Sequence, residues 1–293
     1  MLAIPQLAAS SLLLGGIYAL MSIGLTLIFG VMRVVNFAHG EFLMLGMYLA
    51  FWGFTLYGLD PYFALGLAAP AFFVLGALTY LLVMRGVIAA PHVVQIFTTV
   101  GLSIALQNLA LVLWTGDFRF VRPPATDLTV RVAGAAFNLS QLIAFAVTMV
   151  VTLALFAFLH WTDLGMVVRA TAQDREAATL MGVDTDRVYG LTFALGITCV
   201  GLAGVLVAPL YPVYPTAGLQ FVLIAYVVVV LGGLGNMLGA LLGSLIVATV
   251  EVAGGYVLGA AWKEVLYFLV FLLVLVLRPA GLFGQRGAET LGA

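Results

Sequence analysis

Apolar residues run along this chain in long blocks rather than in alternation. Reading by hydropathy, the blocks fall at residues 7–31, 41–58, 62–84, 92–115, 139–160, 188–208, 219–231, 237–257 and 262–278. Most are 17 to 25 residues long, the length a helix needs to cross about 30 Å of hydrocarbon at 1.5 Å per residue. The pattern predicts an all-α, polytopic transmembrane helical bundle of eight or nine spans. The block at 219–231 is too short to cross alone and runs into the glycine-rich LGGLGN at 231–236, so one or two broken or re-entrant helices are expected. No break in composition divides the chain, and residues 1–293 read as a single transmembrane domain.

Composition sharpens this picture. Of 293 residues, 64% are hydrophobic and 8% are charged, against roughly 25% charged in soluble domains. The net charge of −1, without a basic or acidic run, gives no sign of nucleic acid as a partner. Cys199 is the sole cysteine, which excludes an internal disulfide and a Cys-rich metal site. The run at 7–31 exceeds the apolar core of a cleaved signal and reads as a retained first span. With nine spans and the loop at 161–187 inside, seven arginines fall inside (Arg33, Arg85, Arg169, Arg175, Arg187, Arg278, Arg286). Four basic residues (Arg119, Arg122, Arg131, Lys263) fall outside, a bias that agrees with the positive-inside rule for a multi-pass membrane protein. Eight spans would reverse the count, which favours nine or an equivalent re-entrant hairpin.

Enzyme chemistry finds no foothold. Lys263 is the only lysine and stands between Trp262 and Glu264, so no phosphate-binding Walker loop can form. His39, His92 and His160 lie far apart without metal-ligand spacing, and no nucleophile elbow occurs. No catalytic residue, no metal site and no cofactor is assigned to this chain.

Two polar connections are long. Residues 116–138 read as an outer cap. Residues 162–187 hold the densest cluster of charge, with VVRATAQDREAATLMGVDTDRV at 167–188. There Asp174 can cap a short helix through Arg175, Glu176, Ala177, Ala178, Leu180 and Met181, ended by Gly182. Such a helix would lie along the membrane and offer small and apolar residues to a partner groove; the plainer reading is a solvated connector.

The spacing Glu176-Ala177-Ala178 then Gly182 resembles the EAA-x-x-x-G loop by which permeases of ATP-driven importers dock on their ATPases. The resemblance widens at GGIYALMSIGLTLIFGVMRVVNFAHGEFLMLGMYLAF (15–51), VVLGGLGNMLGALLGSLI (229–246) and LRPAGLFG (277–284), which look like the permease family of branched-chain amino-acid ABC importers, the first of their two permease subunits in particular. The usual Ile-x-Leu-Pro continuation after Gly182 is absent. The resemblance implies an importer permease for branched-chain or other apolar amino acids, partnered by a second, related but different permease. It also implies two cytoplasmic ATPase subunits that bind the ATP, and an extracytoplasmic solute-binding protein. The competing class is a secondary transporter or channel coupled to an ion gradient through Glu251, Glu41 or His39.

Intramembrane polar groups are candidates for the path. Asn36, His39 and Glu41 follow Arg33 at a break between two spans: they line a path if the break lies within the bilayer, and form a headgroup-level turn if it does not. Gln107 and Asn108, a turn beyond Ser103, suit hydrogen bonds between helices better than substrate contact. Asn236 sits among glycines where backbone can approach closely. Glu251 is expected near the interface or paired with an arginine, and Gly15, Gly16, Gly201, Gly204, Gly239 and Gly243 as helix-packing sites.

Overall fold

The computed structural model describes residues 3–132, 135–278 and 280–284, and is helical nearly throughout. The helices are α1 (Ala3–Met32), α2 (His39–Tyr57), α3 (Pro61–Thr79, continued to Val87 through one wider turn), α4 (His92–Trp114) and α5 (Leu139–Trp161). They continue as α6 (Asp163–Gln173), α7 (Arg175–Leu180), α8 (Thr185–Val207), α9 (Ala217–Gly232), α10 (Met237–Val257) and α11 (Lys263–Leu277). Among the described residues, seven helices are long and apolar enough to cross a membrane: α1, α3, α4, α5, α8, α10 and α11 with its preceding turn. The remaining apolar helices are α2, of 19 residues, and α9, of 16. The sequence count of eight or nine therefore depends on how those two sit.

Both begin inside the bundle. After Met32 the chain doubles back along α1 until the His39 imidazole meets the Met21 carbonyl, 2.9 Å away. Eleven residues of helix separate Met21 from Met32, so α2 starts about 16 Å up from the inner end of α1, near half the depth of a bilayer core. The start of α9 lies at the same level, because Gly218 and Gly40 touch backbone to backbone. A Cβ on Gly40 would stand 2.1 Å from the Gly218 carbonyl oxygen, which only glycine allows. At its other end α9 returns to the level of the α1 terminus, where Gly235 abuts Gly30.

Helices α1 and α8 form the core, with 89% and 78% of their central windows buried, whereas α4 and α11 sit on the perimeter with 17% and 6%. Small residues set the closest approaches, Gly24 against Gly196 and Gly204 against the Leu43 carbonyl. The glycines singled out from the sequence all lie at such contacts: Gly15 with Leu245, Gly16 with Phe145, Gly201 with Phe72, Gly239 with Gly232, and Gly243 with Val228. In lipid, where burial gives no hydrophobic gain, this close packing is what holds helices together. Cys199 is buried within α8.

The two ends of the bundle differ. At one, a hairpin of β1 (Thr129–Val132) and β2 (Ala135–Asn138) is tied to α1, the Gln6 side chain exchanging two hydrogen bonds with the Ala136 backbone. This hairpin is an addition that hydropathy did not predict. At the other, inner end lie α6 and α7, the Arg85–Asp186 ion pair (3.1 Å) and the 281–284 turn, whose Leu282 and Phe283 amides donate to Leu231 and Gly232. Arg33, Arg85, Arg169, Arg175, Arg187 and Arg278, grouped on one side from the sequence, all lie toward the end that carries α6 and α7. Arg286 lies outside the described residues.

Candidate functional site: a buried polar cluster and an exposed inner helix

The break between α1 and α2 gathers polar groups in the middle of the bundle. Arg33 closes α1 in a left-handed conformation (φ 58°), its amide donating to the Phe29 carbonyl. The turn that follows is held by Asn36, whose Oδ1 accepts from the Ala38 amide at 3.1 Å. His39 then opens α2, and Glu41 occupies its first turn, where the positive end of the helix dipole favours a carboxylate. Across from them α4 presents Gln95, Thr99, Ser103 and Gln107 at a period of four, one stripe of a helix. Ser103 and Gln107 both donate to Glu41 Oε1, at 3.1 and 2.7 Å, and Thr99 donates to the Val35 carbonyl at 3.2 Å.

The cluster is incompletely paired. Asn36, His39 and Glu41 are buried, yet Asn36 Nδ2, His39 Nδ1 and Glu41 Oε2 have no partner among the described residues. Because His39 Nε2 faces a carbonyl and must carry the proton, Nδ1 is left as an acceptor in the neutral ring. One donor and two acceptors thus stand free beside two helix N-termini that meet in mid-bundle. An unpaired buried polar group costs about 1–3 kcal/mol, so the arrangement suits a site that water or a zwitterion completes.

The other sequence candidates lie elsewhere. Asn108 points outward on α4, its amide donating to Ile104. Asn236 is at the inner end, capping α10 through the Gly239 amide and donating to the Phe283 carbonyl, each at 2.9 Å. Glu251 accepts a 2.7 Å hydrogen bond from the Tyr18 hydroxyl in the α1–α10 interface, so its partner is a tyrosine and not an arginine. Sequence reading missed Gln95, Thr99 and Tyr18. The period-four polar stripe was visible in principle; the tyrosine, 233 positions from its glutamate, was not.

At the inner end the polar loop is two helices rather than one. Helix α6 follows α5 with hardly a joint: Thr162 caps it, and a Cβ at Gly165 would stand 2.2 Å from the Phe158 carbonyl oxygen. Helix α7 is defined at both ends. Asp174 Oδ1 accepts from the Ala177 amide at 3.0 Å. Gly182 (φ 86°) closes it, its amide bonding to Thr179 and that of Val183 to Ala178, the paired bonds of a Schellman ending. Ala178 is buried and Arg175 lies over the Tyr189 ring at 5.2 Å, fixing the helix to α8. Leu180 and Met181 are 87% and 85% exposed, and Glu176 and Ala177 share their open side.

Spanning helices, with two more that start halfway through the bundle, define the class as a polytopic membrane protein. Residues 7–275 match the family described as branched-chain amino acid transport system / permease component, and the chain belongs to that family. It is 33% identical over 291 residues to the high-affinity branched-chain amino acid transport system permease protein LivH of Escherichia coli K12, covering 94% of each chain. Identity to LivH of Salmonella typhimurium is 32% at the same coverage. Identity to the corresponding permease protein BraD of Pseudomonas aeruginosa is 32% over 304 residues, 97% of each chain. No solved structure matches it. Such proteins are components of transport systems and not enzymes, in keeping with the absence of a Walker loop or nucleophile elbow from the sequence.

Proposed function

We propose that this chain is the membrane-spanning permease of an ATP-driven importer for branched-chain or other apolar amino acids in the bacterial inner membrane. Helix α7, from Asp174 to Gly182, is the coupling helix that docks a separate ATPase subunit. The observation carrying this reading is α7 itself: a helix capped at both ends, anchored by Ala178 and Arg175, yet holding Leu180 and Met181 out in the open. Two large apolar side chains held rigidly in solvent are explained by a partner groove that covers them.

The path follows the two half-depth helices. Counting α2 as rising outward from mid-bilayer and α9 as descending inward from it gives nine directed segments and places the α6–α7 loop in the cytoplasm with most of the arginines. The buried cluster of Asn36, His39, Glu41 and Gln107 lies where those helices meet. Its free donor and acceptors suit the ammonium and carboxylate of an amino acid, and specificity can rest with an extracytoplasmic solute-binding protein. Asn236, whose side chain is taken up by the Gly239 amide and the Phe283 carbonyl, is left as the cap of α10 and outside this route. A second, related permease is supported by α4, which carries Asn108 outward among exposed Ile104, Leu109 and Val112. An amide on a lipid-facing helix is costly and is better placed against another protein. ATP binding then belongs to two partner ATPases.

Reconstitution tests this. Leucine uptake into proteoliposomes is expected only when the second permease, both ATPases, the binding protein and ATP are all supplied. Uptake by this chain alone under an ion gradient would overturn the proposal in favour of a secondary transporter.

A further inference from the structure

A cavity of about 620 Å³ opens at the inner end between α1, α5, α6 and the 234–238 turn. Its charged lining is basic, Arg33 and Arg169, with the neutral polar Thr26, Gln173 and Asn236 and the ring of His160 beside them and no carboxylate among the lining residues. Neither arginine forms an ion pair among the described residues, whose two salt bridges are Arg85–Asp186 and Arg187–Asp184. Arg169 is aimed by a hydrogen bond to the Leu159 carbonyl. Arg33 occupies the left-handed position that ends α1, where glycine is the ordinary choice and a side chain costs on the order of 1 kcal/mol. An arginine that bears this strain, and whose side chain points into a cavity without an acidic partner, is matched to an anion.

The lower wall is apolar and lies at membrane depth. Thr26 to Arg33 spans the last two turns of α1, about 10 Å of rise, and Leu27, Val31 and Leu159 face the cavity there. Trp161, next in the chain to the lining residue His160, is exposed where α5 ends, as tryptophans are where headgroups meet acyl chains. A basic mouth above an apolar wall fits a phospholipid and not a soluble peptide. We propose that this cavity binds an anionic phospholipid, its phosphate between Arg33 and Arg169 and an acyl chain along the α1 wall. Because the cavity lies between the core helix α1 and α6, the helix that leads through Asp174 into α7, the lipid would brace the junction of bundle and inner loop. The proposal stands apart from the transport reading and is tested by binding alone.

The test is lipid titration of the purified, delipidated chain in detergent, counting bound molecules by native mass spectrometry with phosphatidylglycerol or phosphatidylcholine as probe. One phosphatidylglycerol is expected to bind at least tenfold more tightly than phosphatidylcholine. Arg33→Gly and Arg169→Gln should each lower phosphatidylglycerol affinity about fivefold, the equivalent of about 1 kcal/mol per arginine near an anionic surface. Arg33→Gly serves as the folding control, since relief of the left-handed strain keeps its thermal midpoint at or above that of the parent. Equal binding of the two lipids, or unchanged affinity in both variants, would overturn the proposal. So would displacement of the lipid by millimolar inorganic phosphate, which would assign the cavity to the free ion.

Discussion

Gly40→Ala is the most demanding test of the claim that two half-depth helices meet in the middle of this protein. The added Cβ would lie 2.1 Å from the Gly218 carbonyl oxygen and 2.8 Å from both its carbonyl carbon and Val222 Cβ. An ordinary carbon–oxygen contact is about 3.3 Å, so the backbones must part by roughly 1 Å, and no flexible side chain stands there to yield. Overpacking of this kind costs about 1–3 kcal/mol, and the damage is not confined to the contact. His39 and Glu41 flank Gly40, and their hydrogen bonds of 2.9 Å to Met21 and 2.7 Å from Gln107 do not survive a displacement of that size. The expected result is a thermal midpoint in detergent lowered by several degrees, at about 2–4 °C per kcal/mol. Transport by the reconstituted complex should be lost even at temperatures where the variant stays folded. Gly66→Ala supplies the control: its Cβ meets nothing within 4 Å at an exposed position of α3, so stability should hold or rise by up to about 1 kcal/mol. If Gly40→Ala matched the parent in both melting and uptake, the mid-bundle crossing would be wrong.

Other expectations follow from the same geometry. Tyr18→Phe removes a buried 2.7 Å hydrogen bond to Glu251 and should cost about 1.5–3 kcal/mol; in a double-mutant cycle with Glu251→Ala, which removes the acceptor, additive losses would show that the pair is not coupled. Glu41→Ala leaves Ser103 and Gln107 without their acceptor, so adding Gln107→Leu should recover part of the lost melting temperature, and a further drop would contradict the pairing. Leu180→Ser with Met181→Ser should leave the isolated chain as stable as before, since both side chains are exposed, while abolishing co-purification with the ATPase subunits. Asp174→Ala should weaken the same association by loosening α7, at about 1 kcal/mol for a lost cap; undiminished binding would remove α7 from the docking surface.

How the chain divides between membrane and water was legible in its order of residues. A block of some 20 apolar residues has one low-energy state in a bilayer, a helix whose backbone bonds are all internal, and that rule needs no knowledge of neighbours. The short block at 219–231 became α9, of 16 residues. Local signals were equally readable where they act within one turn: Asp174 and Gly182 bound α7 because capping involves only residues three or four apart. Helix α6 is the exception: residues 163–173 mix Asp163, Arg169 and Gln173 with apolar positions, so hydropathy assigned them to a polar connection although Thr162 caps them locally.

Depth and partnership were decided elsewhere. The block at 41–58 looks like any other span, and only the return of the chain along α1, fixed by His39 against Met21 and Gly40 against Gly218, places the start of α2 in the middle of the bundle. Asn36, Glu41 and Gln107 converge, whereas Asn108, one residue further along, faces outward, because successive helix positions turn by about 100° and only packing determines which one meets a neighbour. Tyr18 and Glu251 likewise become a pair solely through the contact of α1 with α10. Hydrophobicity is a property each segment carries by itself; a polar contact inside a membrane is a property of two segments, and it exists only once they are packed.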